Sequence, residues 1–305
     1  MSGASLAREP KGAPLSGLRS RFLATREDRG PERPEASGMV SVFTSVPPSV
    51  LLSFVVIAIV ILWSLFPGLF TSYSAVQADP AAKFLAPSAQ HWFGTDDLGR
   101  DEFARVVHGA GSSVGTALAA VGIGLFAGGL IGLLAGFFGG WVDAVLGRLV
   151  DTLLAIPYFL LAVVIVMGLG FDTINAAIAT GISSVAIFAR LMRAEVLKVR
   201  HSVFVESSYL QGGSRGYVLF RHVLPNAYRS VLALSVLQLG QAIIVIAALA
   251  FLGYGSPPPA SDWGLLVSAG QNDATAPWLV YCPAVVIVLT VLSINRISRW
   301  LRKTS

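Results

Sequence analysis

The stretch "ESSYLQGGSRGYVLFRHVLPN", Glu206–Asn226, is a polar island in a chain otherwise apolar enough to dissolve in a bilayer. Apolar runs flank it, Thr173–Met192 before and Ser230–Leu252 after. Each has close to the roughly 20 residues that a helix needs to cross about 30 Å of hydrocarbon. The island is therefore a connection between two spans, and its side of the membrane fixes how the chain threads. It reads as two short helices: "FVESSYLQ", a break at Gly212-Gly213, then "SRGYVLFRHV" ending at Leu224-Pro225. Glycine frees the backbone at a turn, and proline pushes the preceding residue away from helix. A plain inter-span turn needs only a few residues. The connection 194–229 is far longer, so it either presents a surface to something soluble or is an ordinary solvated basic loop.

Working outward, four more apolar segments qualify as spans: Ser49–Phe70, Ser113–Phe138, Ala144–Leu169 and Pro277–Ile294. Thr173–Met192 is the most diluted of the six, by Asn175, Thr180, Ser183 and Ser184. The 305 residues are 54% hydrophobic and 13% charged, about half the charge of a soluble domain. The fold class is thus an all-α integral membrane protein with six transmembrane helices. Lys and Arg are retained on the cytoplasmic side. With both termini inside, the amino-terminal segment, the 190–229 region and the carboxyl end hold 18 of the 22 Lys and Arg; outside lie Lys83, Arg100 and Arg105. This distribution accounts for the net charge of +5 without a nucleic-acid partner. Residues 1–48, rich in Pro, Gly, Ser, Arg and Glu, read as a flexible cytoplasmic tail and not as a secretory signal. The six-helix transmembrane domain is 49–298, and 299–305 is a short cytoplasmic tail.

Within the second span, Gly124, Gly128, Gly132, Gly136 and Gly140 recur every four residues. Residues four apart share a helical face, which predicts close packing against another helix or, alternatively, a substrate groove.

Candidates for chemistry fail one by one. A phosphate-binding loop needs Gly-Lys-Ser/Thr, but Lys11, Lys83, Lys198 and Lys303 follow Pro10, Ala82, Leu197 and Arg302. Four scattered histidines and a single cysteine, Cys282, predict no metal site, no disulfide and no catalytic residue. Ion coupling would leave ionisable groups at mid-membrane depth. Arg148 and Asp151, three apart near the inner interface, can pair or reach to the surface. Gln238 and Gln241 either bond a neighbouring helix or line a polar path. An ion-coupled transporter acting alone, or a membrane scaffold, stays open on these residues.

The opening stretch resembles the EAA motif of permease subunits of bacterial ABC importers: Glu206, Gly212 six residues on, and Leu224-Pro225, with the proline thirteen beyond that glycine. Ser207-Ser208 stand where the family has Ala-Ala, still small side chains. "HWFGTDDLGRDEFARVVHGA" (His91–Ala110) and "FLGYGSPPPASDWGLLVSAGQND" (Phe251–Asp273) look like the outer segments of C-type dipeptide and oligopeptide permeases. The resemblance covers about Ser49 to the carboxyl end, where "NRISRWLRKTS" departs from the usual pattern. It implies the type I importer permease architecture in a bacterial inner membrane and a non-catalytic subunit of a peptide importer. It also implies a second homologous permease, two cytoplasmic ATPases that bind ATP and Mg, and an extracytoplasmic substrate-binding protein. Glu206, Ser207, Ser208, Gln211, Gly212, Gly213, Ser214 and Arg215 would couple to an ATPase. Asp96, Asp97 and Arg100 would contact the binding protein or stabilise their own loop. Nickel chelates and haem are alternative cargoes among relatives.

Overall fold

A computed structural model describes residues 47–304, with side-chain surroundings through 302. Residues 1–46 of the predicted tail lie outside the described residues. In chain order the helices are α1 (Pro48–Leu65), α2 (Glu102–Phe138), α3 (Gly140–Leu154), α4 (Tyr158–Leu169), α5 (Thr173–Arg200), α6 (Val203–Leu210), α7 (Arg215–Val218), α8 (Leu224–Phe251), α9 (Trp263–Gly270) and α10 (Trp278–Thr304). Among the described residues, five helices are long and apolar enough to cross a membrane, α7 through α8 counting as one, and six if α3 and α4 form one bent span. Among the described residues an isolated bridge pairs Thr95 with Asp101 in the outer connection.

The most extensive helix pair is α2 against α5. A Cβ at Gly128 would overlap the carbonyl oxygen of Val185, one at Gly132 that of Ala189, and one at Gly136 would stand 2.8 Å from Val196 Cγ1. Gly124 faces Ser184 in the same way. Of the polar residues that dilute the fourth predicted span, Ser184 stands at this contact, against Gly124, while Asn175 donates to the Leu169 and Gly170 carbonyls. Thr180, Ser183 and Ser184 are buried, and the Ser183 and Ser184 hydroxyls donate to their own helix at Ala179 (2.8 Å) and Gly181 (2.7 Å). The small volume of Ser184 lets the backbones approach, and internal bonds satisfy both serine hydroxyls, while the Thr180 hydroxyl is buried without a partner among the described residues. α1 is the opposite case, apolar all round and only 17% buried, a peripheral span leaning on α2 and α10.

Four sequence expectations change. α2 ends at Phe138 because Gly139 and Gly140 take φ of +66° and +56°, so Gly140 leaves the stripe and faces open space. The third predicted span, Ala144–Leu169, is broken: α3 and α4 meet at 93° across Ala155–Pro157. Pro157 has no N–H to donate and excludes Ile156 from helix. Leu224-Pro225 does not stop the helix. Leu224 is helical (φ −58°, ψ −48°), because the π turn Leu219–Val223 widens the preceding backbone where the proline ring would otherwise clash. The expected tail at 299–305 continues α10 as far as Thr304.

Candidate functional site

The connection between α5 and α8 folds into an elbow seated on the end of the bundle. Three β-branched residues pin it. Val205 of α6, Val218 of α7 and Val223 of the π turn are each 0% exposed, in one apolar cluster with Phe188, Met192 and Val196 of α5. Burial of a valine contributes roughly 1.5–3 kcal/mol, so this elbow is anchored rather than draped.

The turn between α6 and α7 follows from local chemistry. α6 runs out at Leu210, Gln211 caps it, and Gly212 swings to φ +86°. The Gly213 N–H then returns to the Ser208 carbonyl at 2.9 Å, satisfying one of the orphan carbonyls of the helix end. Ser214 starts the next helix by accepting the Tyr217 N–H at 3.3 Å. His222 lies between the rings of Phe204 (6.2 Å) and Tyr217 (5.6 Å), tying α6 to the π turn.

Outward, the elbow is apolar. Leu210 is 89% exposed and Val203 78%, and Phe204, Tyr209, Tyr217 and Phe220 are exposed beside them. A groove of about 780 Å³ opens here, lined by Phe204, Ser207, Ser208, Gln211, Tyr217 and His222. Gly213 also lines it, while Glu206, Gly212, Ser214 and Arg215 stand exposed around it. Leu224 and Pro225 begin α8 and leave the elbow at its far side. The arrangement joins His222 to neither serine hydroxyl among the described hydrogen bonds; the Ser207 hydroxyl donates to the Val203 carbonyl at 2.9 Å. It offers a small, stiff, apolar-and-polar face.

Elsewhere the predicted residues part company. Gln238 is buried within the bundle and Gln241 is exposed. Asp151 does not pair with Arg148 but with Arg190 of α5, at 3.1 Å. In the outer connection Asp96 and Arg100 are buried: Asp96 accepts from Arg100 Nε and from an Arg105 guanidinium nitrogen, both at 2.7 Å. Asp97 alone of that trio is well exposed. Trp263 bolts the second outer connection to α2, its indole N–H donating to the Val106 carbonyl at 2.9 Å and its backbone N–H to Ser113 Oγ at 3.0 Å. Val205, Val218 and Val223 were not singled out by sequence; apolar residues that persist inside a polar island were their available signal.

The sequence profile described as "Binding-protein-dependent transport system inner membrane component" matches residues 128–304. The dipeptide transport system permease protein DppC of Alkalihalophilus pseudofirmus is 41% identical over 249 residues, covering 81% of this chain and 82% of the relative. The glutathione transport system permease protein GsiD of Pectobacterium atrosepticum is 37% identical over 217 residues, 71% of this chain and 72% of its own. The probable D,D-dipeptide transport system permease protein DdpC of Escherichia coli is 34% identical over 250 residues, with 81% and 84% covered. Two solved structures share the fold at 15% identity: an amino acid ABC transporter with histidines (TM-score 0.52; 66% of this chain, 94% of that one) and the MetNI methionine ABC transporter (0.51; 64% and 95%).

Proposed function

The chain belongs to the family of binding-protein-dependent transport system inner membrane components, and from that premise we propose that it forms half of the translocation path of an ATP-driven peptide importer. It is a multi-pass inner-membrane permease. Relatives named for dipeptide and glutathione transport support peptides as the cargo. In this reading a second homologous permease completes the path and an extracytoplasmic binding protein delivers the peptide. Two cytoplasmic ATPases bind ATP and Mg and do the hydrolysis.

One observation carries the coupling role: the elbow holds an exposed apolar face, Leu210 and Val203 foremost, on a base buried to 0% at Val205, Val218 and Val223. An apolar face outside the spans gains by being covered, and a packed base transmits displacement instead of absorbing it. An ATPase that closes on ATP would push α6 and α7 as one body, and α5 and α8, continuous with them, would rock the path from outward to inward opening.

The test is reconstitution with the companion subunits in proteoliposomes. Peptide-loaded binding protein should stimulate ATP hydrolysis, and uptake should survive collapse of the proton gradient at constant ATP. Uptake abolished by that collapse would indicate ion coupling, and unstimulated hydrolysis would indicate a scaffold.

A further inference from the structure

At the inner end of the bundle, the bent pair creates a second feature, apart from the elbow. α4 is apolar on all sides, and α3 turns 93° away from it. At 12 residues α4 is too short to cross the bilayer alone, so the bent pair makes one span, with α3 as its cytoplasmic end, on the side to which α2 delivers the chain. Trp141 (78% exposed), Val145 and Leu149, four residues apart, make an exposed apolar stripe along it. Beside the stripe a cleft of about 450 Å³ opens between α3 and α5, lined by Asp143, Gly147, Arg148, Asp151, Arg190 and Arg193.

The charges in that cleft do not balance. Arg193 grips Asp143 with two nitrogens, Nη2 to Oδ2 at 2.7 Å and Nε to Oδ1, and Arg190 reaches Asp151 at 3.1 Å. Arg148 has no acidic partner among the described ion pairs. Three guanidinium groups face two carboxylates, so the cleft has room for one more anion. We propose that this cleft seats the phosphate of an anionic phospholipid from the inner leaflet, with Arg148 meeting the phosphate and the Trp141 stripe lying against the acyl chains. A guanidinium bonds phosphate oxygens through two parallel N–H groups. Basic pockets on the cytoplasmic side of helical bundles suit such headgroups, and tryptophan favours this depth. A zwitterionic lipid brings its own cation and gains less. A soluble phosphate shares the charge but not the stripe.

The experiment places the full-length chain, in the complex in which it purifies, into nanodiscs containing phosphatidylglycerol with brominated acyl chains. Trp141 fluorescence is isolated by subtracting a Trp141→Phe variant. Wild-type protein should reach half-quenching at a phosphatidylglycerol fraction about fivefold below that of Arg148→Gln, the increment expected of one basic residue at the surface. Arg148→Lys should retain most of the preference. Brominated phosphatidylcholine should show no such difference, and inorganic phosphate should leave the curve in place. Coincident curves for wild type and Arg148→Gln would overturn the proposal. So would phosphatidylcholine quenching equal to phosphatidylglycerol, full displacement by phosphate, or a photo-crosslink from position 141 into a second protein chain.

Discussion

Gly128 of α2 lies so close to the carbonyl oxygen of Val185 on α5 that a Cβ would overlap the oxygen. Gly122, in the same helix, has nothing within 4 Å of its Cβ position. The pair makes an internal control. Gly128→Ala should destabilise by roughly 1–3 kcal/mol through overpacking. Gly122→Ala should be neutral or stabilise by up to about 1 kcal/mol through helix propensity. Thermal melting of the two purified variants checks this, and equal shifts would remove the close contact as the reason for the glycine spacing.

Gly212 also has open space around it, so its requirement is conformational: φ of +86°. Gly212→Val forces a β-branched residue into a region that costs roughly 1–3 kcal/mol, whereas asparagine tolerates positive φ. Peptide uptake per ATP hydrolysed should fall severalfold with valine and much less with asparagine, at unchanged membrane insertion. Equal uptake in both variants would show that the turn geometry is not transmitted.

The valine anchors predict a different signature. Val218→Ala leaves the outward face intact but hollows its base, costing about 1–3 kcal/mol. ATPase subunits should still be recovered with the permease, while stimulation of hydrolysis by peptide-loaded binding protein drops. Loss of recovery instead would show that the buried base also shapes the docking face.

Glu206 stands exposed in the first turn of α6 and touches none of the buried core. Glu206→Lys reverses a charge on the docking face and loses a favourable helix-terminus interaction of about 0.3–1 kcal/mol. Recovery of the ATPase in pull-down should fall, more steeply at low salt. Recovery unchanged at every ionic strength would exclude Glu206 from that contact.

The spans and the glycine spacing were legible because apolar length and four-residue repeats are local signals. What the sequence hid depends on single residues or on distant partners. A hydropathy average runs straight over Pro157, yet one missing N–H turns the chain by 93°. Pro225 looked like a stop because the π turn that accommodates it leaves no compositional mark. Arg148 and Asp151 share a helical face, but the choice of Arg190 as partner for Asp151 is made by the packing of α5 against α3. The outer charges Asp96 and Arg100 read either as a docking patch or as stabilising their own loop, and in the fold they are bonded to each other and buried.

Asp262, in the outer connection, offers a test in which charge and capping separate. Its Oδ1 accepts the Leu265 N–H at 3.0 Å and so caps α9, while the residue is only 7% exposed. Burial pushes its carboxyl above the usual range, against the opposing pull of the Leu265 and Gly264 N–H groups. The ionised form therefore costs stability above the folded-state pKa. That cost shrinks as pH falls and is gone below the unfolded value of about 3.9. Asparagine keeps the acceptor and drops the charge, so Asp262→Asn should melt at or above wild type at neutral pH, with the gap closing on acidification. Asp262→Ala loses the cap and should cost about 1 kcal/mol. Because Trp263 next door is bonded to Val106 and Ser113 of α2, loosening α9 should be felt in the melting of the whole bundle. An asparagine variant as unstable as alanine at neutral pH would mean that the carboxylate's charge, and not its oxygen, holds this corner.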